Sequence, residues 1–299
     1  MRYVRPNITE LGTIIDSEAQ WDPIAGGFQF TEGPVWVAEE RTLYFTDISA
    51  DTIYRWSEDG GKVSVFRRSS RKANGMTRDP NGFLLVCEQV TRCIGRIDRN
   101  GTGAVIADRY DGRRLNSPND IVVADDGSIW FTDPVYGILD VAGGYPGKQE
   151  QPAQGVYRWD PGSGLKRLVN DMEGPNGLAF SPDGTVLYVT DSERFHIRKF
   201  YIDGINIHDA DVFAVIERKS GASPPDGLRV TPSGHLFVAG PGGVWIFDGQ
   251  GHHLGLIENP EVVSNCELGV SDRLYLYVTA TSSVCRIPIH RDLLIRRHS

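Results

Sequence analysis

The sequence predicts an all-β fold, a six-bladed β-propeller made of four-stranded antiparallel blades. Three observations predict it. One β-rich unit recurs six times along the 299 residues. Its strands are short, rich in β-branched and aromatic residues, and bounded by Gly, Asp and Pro turns. No segment sustains a 3.6-residue apolar period, so little helix is expected.

In each unit a turn containing Gly, Pro or Asn leads into a short apolar first strand. A turn of the Asp-Gly kind follows, then a second strand ending in Thr-Asp or a similar pair, then a third strand of alternating apolar residues. The clearest copy runs Gly174-Pro-Asn-Gly-Leu-Ala-Phe, Ser181-Pro-Asp-Gly, Val186-Leu-Tyr-Val-Thr-Asp191 and His196-Ile-Arg-Lys-Phe-Tyr-Ile. The second strands align as 43–47, 84–88, 129–133, 187–191, 236–240 and 276–280. The third strands align as 52–56, 93–97, 155–159, 196–200, 243–247 and 283–287. A unit of about 40–50 residues holds four strands, one propeller blade. A lone blade cannot bury both faces, whereas a closed ring buries each against a neighbour and leaves only short edges. An N-terminal strand, near Ile8 to Ile15 or Ile24 to Phe30, is expected to complete the last blade. The chain therefore reads as one domain over 1–299, with an N-terminal segment at 1–31 and six repeats at 32–290.

Composition narrows the partners. Hydrophobic content of 40% and charged content of 23% suit a globular protein. A net charge of −8 argues against a nucleic-acid partner, and the one basic cluster (Arg67, Arg68, Arg71, Lys72) reads as a solvated loop. No apolar run approaches the ~18–20 residues of a membrane span, so no membrane partner is expected. The start, Met1-Arg-Tyr-Val-Arg-Pro-Asn, has no apolar core of a signal sequence, which points to the cytoplasm. A periplasmic protein whose signal had been removed would look the same. Monomer and homodimer both fit. Cys87, Cys93, Cys266 and Cys285 form no C-x-x-C pair, have no His at zinc spacing, and read as buried free thiols rather than a disulfide.

Read in phase, the repeat places a polar residue just before each first strand: Glu32, Asn74, Asn119, Asn176, Asp226 and Asn265. First strands are innermost in a propeller, so these side chains are expected to converge on one end of the central channel. The second strands run back to that end, which brings Asp47, Glu88, Asp133 and Asp191 to the same face. So does the long loop from Pro134 to Gln154, with Tyr136 and Tyr145, which is expected to wall or cover a pocket. A plain turn is the competing role for any one ring residue, because Pro-Asn-Gly and Pro-Asp-Gly are strong turn sequences. For Asn74 and Asn265 the turn or channel-lining role is kept. The strand-terminal acids have their own alternative, holding neighbouring backbone amides.

Glu32, Asn119, Asn176 and Asp226 offer only oxygen donors, two carboxylates and two amide carbonyls. Hard cations such as Ca²⁺ prefer that mix, and no His or Cys shares the ring to favour zinc or copper. A cation with open positions can polarise a carbonyl, and an Asp beside it can act as general base.

The segments Glu32-Gly-Pro-Val-Trp, Ser117-Pro-Asn-Asp, Pro175-Asn-Gly-Leu-Ala-Phe-Ser-Pro-Asp-Gly and Pro225-Asp-Gly resemble the signatures of the gluconolactonase/senescence marker protein (regucalcin) family, in register from about residue 20 to 290. The bacterial gluconolactonases are the closer likeness, since the regucalcin branch carries an Arg where this chain has Ser117. The resemblance implies a six-bladed propeller with one central divalent metal, most simply Ca²⁺ with Mg²⁺, Mn²⁺ or Zn²⁺ as alternatives. It also implies hydrolysis of sugar lactones such as glucono-1,5-lactone to the aldonic acid. By motif, Glu32, Asn176 and Asp226 match metal ligands, and Asn119 matches a ligand or substrate-contacting Asn. Asp226 matches the general base, with a water on the metal as the alternative source of the nucleophile. Asp133 and Tyr136 are expected to bind sugar hydroxyls. A calcium-dependent phosphotriesterase and a non-catalytic propeller scaffold are the competing functions.

Overall fold

Short strands punctuated by glycine turns pair mostly with their sequence neighbours, so the sheets are antiparallel and the first four blades are simple meanders. The computed structural model describes residues 4–5, 10–139, 144–218 and 221–296. Blade one comprises Thr31–Val37, Thr42–Asp47, Thr52–Ser57 and Lys62–Arg68. Blade two comprises Ala73–Arg78, Leu84–Glu88, Cys93–Ile97 and Gly103–Ala107; blade three, Ile121–Val123, Ile129–Asp133, Gly155–Asp160 and Gly164–Val169. Blade four comprises Pro175–Phe180, Val186–Asp191, His196–Asp203 and Asn206–Val215. Blade five comprises Leu228–Val230, Leu236–Gly240, Gly243–Phe247 and His253–Glu258, with Val4–Arg5 added outside it. Among the described residues helix is confined to four short 3₁₀ segments, as the absence of a helical period predicts.

The sixth blade takes Val263–Val270, Leu274–Ala280 and Ser283–Ile289 from the end of the chain and Asp22–Gly26 from its beginning. The second of the two expected closing stretches thus overlaps the strand that closes the ring. The first, Ile8 to Ile15, begins outside the described residues; its described part forms the 3₁₀ turn Leu11–Thr13, and Leu11, Ile14 and Ile15 pack against Leu254, Leu274 and Leu293. The core is divided among the interfaces between blades. Val35 and Tyr44 of blade one meet Met76 and Val86 of blade two, and Leu43, Phe45 and Trp56 meet Tyr277 and Val284 of blade six. All four cysteines are buried and free. Arg67 and Arg71 of the basic cluster lie 3.5 and 2.9 Å from the Glu88 carboxylate, so part of that cluster is ion-paired. Among the described residues no helix is long and apolar enough to cross a membrane.

The Thr-Asp ends of the second strands stitch this ring together. The hydroxyl of Thr46 donates to Asn74 O at 3.1 Å, Thr132 to Asn176 O at 2.7 Å, and Thr190 to Asp226 O at 2.8 Å. Each Thr therefore holds the backbone of the next blade's polar ring residue. The following Asp holds the approach to its own blade's ring residue. Asp47 accepts from the amides of Gln29 and Phe30, Asp191 from those of Glu173 and Gly174, and Asp133 from that of Asn116.

Candidate active site

Glu32, Asn74, Asn176 and Asn265 lie within their first strands rather than before them, as Asn119 and Asp226 do, because the pairing continues past an irregularity there. Register shifts fall between Glu32 and Val35, Ala73 and Met76, Pro175 and Leu178, and Val263 and Asn265. Asn74 and Asn176 are themselves left out of the ladder, while Glu32 and Asn265 are paired beside the irregularity; such bulges re-aim side chains. Glycine follows Glu32, Asn74, Asn176 and Asp226 for a reason of space. A Cβ on Gly75 would fall 2.5 Å from Asn119 O, and one on Gly177 would fall 2.5 Å from Asp226 O. Successive ring residues can approach each other only because that Cβ is missing.

The result is a cavity of about 340 Å³ lined by Glu32, Asn74, Asn119, Asn176 and Asp226, five of the six ring positions. Asn265 lies behind the lining and donates from Nδ2 to Glu32 Oε2 at 3.0 Å. That same oxygen accepts from Gly33 N at 2.6 Å, so the Glu32 carboxylate is fixed through Oε2 alone. Asn176 is oriented by a relay: its Nδ2 donates to Ser192 Oγ at 3.1 Å, and Ser192 Oγ donates to Pro225 O at 2.6 Å. Asn176 Oδ1 is thereby left buried with no partner, and so is Asn74 Oδ1. Asp226 is gripped by its backbone, its N donating to Ala239 O at 2.9 Å and its O accepting from Thr190, while its carboxylate faces the cavity.

Of the expected substrate contacts, Asn119 and Tyr136 line the cavity. Tyr136 sits on the 3₁₀ turn Tyr136–Ile138 at the start of the long loop, with its hydroxyl 3.1 Å from Glu193 Oε1. Residues 140–143 of that loop lie outside the described residues. Asp133 does not line the cavity. It is fully buried, burial raises its pKa to about 7, and its Oδ2 accepts from Asn116 N at 2.8 Å, the backbone-holding role weighed for the strand-terminal acids.

Sequence reading missed a second tier of charge. Asp120, one residue past Asn119, is 1% exposed, and its Oδ2 lies 3.9 Å from Arg229 Nη1. Arg229 Nε lies 3.3 Å from Glu267 Oε2. One guanidinium thus stands among three carboxylates, Glu32, Asp120 and Glu267, while Asp226 feels the charges of Glu32 and Asp120. The consequence is visible in their acidities. Burial, then the Asp120 charge, raises Glu32 to about 7; burial, then Glu32 and Asp120, push Asp226 well above the ordinary carboxylate range. The signal for Asp120 was an Asp at 120 where four of the other five repeats have Gly after the ring residue; for Arg229 it was an Arg in the middle of an innermost strand.

Crowded carboxylates beside unpartnered amide oxygens are what a hard divalent cation satisfies. Among the described residues no three His, Cys, Asp or Glu side chains form a metal-holding cluster, so amide oxygens must supply part of any such site.

Residues 30–282 match the family model for the SMP-30/Gluconolactonase/LRE-like region. The chain belongs to this family. It is 34% identical to a gluconolactonase from Zymomonas mobilis over 93% of its own length and 83% of the relative's. It is 28% identical to the pentonolactonase XacC of Haloferax volcanii over 83% and 80%. Among solved structures, XC5397 from Xanthomonas campestris, described as a gluconolactonase important in glucose secondary metabolic pathways, superposes with a TM-score of 0.90 at 34% identity, covering 97% of this chain and 96% of that one. A calcium-binding regucalcin from Agrobacterium tumefaciens shares the fold, with a TM-score of 0.75 at 18% identity.

Proposed function

We propose that this chain is a metal-dependent lactonase that opens sugar lactones such as glucono-1,5-lactone to the aldonic acid. The observation that carries the reading is the cavity itself: Glu32 and Asp226 face it beside Asn176, whose Oδ1 is buried and unpartnered. Glu32, Asn176 and Asp226, with Asn119, would hold one divalent cation, and the oxygen-only donor set favours Ca²⁺. When bound, such a cation supplies Lewis-acid stabilisation of the charge that develops on the lactone carbonyl oxygen.

The remaining chemistry falls to the chain. Asp226, raised in pKa and set on a backbone held at both N and O, is suited to take a proton from the attacking water. Water adds to the carbonyl carbon, the ring C–O bond breaks, and the proton held by Asp226 returns to the departing ring oxygen as a hydroxyl. Asn119 and Tyr136 orient the ring. Phe30, Ile48 and Val262 give the cavity an apolar side that displaces water from the ring face. The whole chain, 1–299, works as one propeller, with segment 1–31 closing the ring of repeats at 32–290.

The direct test is hydrolysis of glucono-1,5-lactone before and after exhaustive chelation. Activity is expected to vanish and to return with added Ca²⁺; full activity after complete metal removal rejects the reading. A lactone and organophosphate panel separates it from phosphotriester hydrolysis.

Acidity gives a second expected result. Between the ordinary carboxylate pKa and about 7, folded Glu32 keeps a proton that the unfolded chain has released. The metal-free fold therefore loses stability as pH rises through that window, because the folded state binds more protons there. Above it the Glu32 carboxylate is ionised and ready for a cation. Added Ca²⁺ is expected to raise the melting temperature more at pH 8 than at pH 5.5, and an equal shift at both would contradict the assignment.

A further inference from the structure

The residue following each second strand holds an equivalent position in every blade. In blade order these are Ile48, Gln89, Pro134, Ser192, Pro241 and Thr281. Three of them, Ile48, Gln89 and Ser192, line the cavity. Their chemistry differs. Ile48 is apolar. Ser192 is consumed by Asn176 and Pro225. The hydroxyl of Thr281 donates to Val262 O at 3.3 Å. Gln89 is 5% exposed, and its Oε1 is buried with no hydrogen-bond partner.

We propose that Gln89 reads the hydroxyl groups of the substrate ring and so selects polyhydroxylated lactones over plain ones. An orphaned buried acceptor is a standing cost to the fold, and a ligand that supplies the missing donor recovers it. The amide is also held in place. A Cβ on Gly137 would fall 2.8 Å from both Cγ and Cδ of Gln89, so the backbone of the long loop packs directly against the side chain. Gly137 is itself tied down, its N donating to Ser117 Oγ at 2.8 Å while Ser117 Oγ donates to Pro134 O at 2.9 Å. Ser117 thus spends its hydroxyl on the loop and leaves this sector of the wall to Gln89. The backbone of Gln89 is fixed too, its N donating to Lys72 O at 3.3 Å. A preorganised polar group in a cavity that also carries the apolar side chains of Phe30, Ile48 and Val262 gives the ring of a sugar lactone both polar and apolar contacts.

The inference rests on the lactonase reading for its reaction, but one arm of its test does not depend on turnover. Gln89→Met keeps the volume and removes the amide. Its ratio of kcat/KM for glucono-1,5-lactone to kcat/KM for δ-valerolactone, which carries no hydroxyl, is expected to fall about tenfold, mainly through KM for the sugar lactone. Binding of 1,5-anhydro-D-glucitol, a polyhydroxylated ring with no carbonyl to hydrolyse, is measured by calorimetry and is expected to weaken about tenfold. An unchanged ratio with unchanged binding overturns the proposal, as does a parallel loss on both lactones, which would mark a structural role. If the wild type hydrolyses neither lactone, the lactonase reading fails, and anhydroglucitol decides Gln89 alone: no binding to the wild type, or equal binding to the variant, overturns it. Should Gln89→Met fail to fold, Gln89→Asn, which keeps the amide but withdraws it by one methylene, is expected to show a smaller loss of the same kind, and no loss overturns the proposal.

Discussion

Asp226→Asn is expected to lower kcat on glucono-1,5-lactone by on the order of 10³ at saturating metal, the size of effect seen when a positioned general base is lost. The substitution is nearly isosteric, and the backbone bonds at Ala239 and Thr190 do not involve the side chain. The fold is therefore expected to survive. Stability of the metal-free protein should move the opposite way to activity. Asp226 is pushed up in pKa by burial and by Glu32 and Asp120, so keeping this carboxyl in the fold costs more stability as pH rises above the ordinary carboxylate range. A neutral amide removes that repulsion. In the presence of chelator, Asp226→Asn should melt no lower than the wild type at pH 8, and the difference should shrink as pH falls toward the ordinary carboxylate range. This pairing of lost function with retained or improved stability is the mark of a residue kept for chemistry. Activity within tenfold of the wild type would remove Asp226 from the reaction. A large drop in melting temperature under chelator would mean that its carboxylate is structural.

Arg229→Met is expected to be the most damaging single substitution for the fold beneath the cavity, costing roughly 3–5 kcal/mol, the range for removing one partner of a buried charge pair. The guanidinium has a side-chain exposure of 12% and lies between Asp120 and Glu267. Its Nη1 also donates to Leu228 O at 3.0 Å. With Met in its place, Asp120 and Glu267 would stand unpaired in a channel that already holds Glu32 and Asp226. Arg229→Lys should recover only part of the loss, because an ammonium cannot span both carboxylates as the planar fork does. Adding Glu267→Gln to Arg229→Met should also recover part, since one uncompensated charge goes with it. Urea unfolding monitored by tryptophan fluorescence measures all three variants. A cost below about 1 kcal/mol for Arg229→Met would show that these carboxylates do not need the guanidinium.

The repeat was legible because each blade obeys the same local rules. Second strands such as Leu84–Glu88 and Ile129–Asp133 have the bounds that alternation and flanking turns predict. Phase then located Glu32, Asn119, Asn176 and Asp226, since a residue's place in the repeat fixes its place around the axis. The Asn-Gly and Asp-Gly pairs had invited a turn explanation. In the structure their glycines serve contact between blades, a relation between residues about 40–50 positions apart that local turn propensity cannot express. The same holds for the Thr-Asp ends: their type and position are plain in the sequence, but the partner of each Thr is a backbone carbonyl in the next blade.

The oxygen ring was thus determined by the sequence alone, through residue type and repeat phase. Tertiary structure alone decided which ring residues face the cavity, that Asn265 stands behind Glu32, and that Asp133 turns its carboxylate to a backbone amide. It also decided that Asp120 and Arg229 lie beneath the ring and that Gln89 keeps an unpartnered amide oxygen at the cavity wall. The physical reason is that a charge or hydrogen bond depends on every group around it in space. In a closed propeller those groups come from six separate stretches of chain.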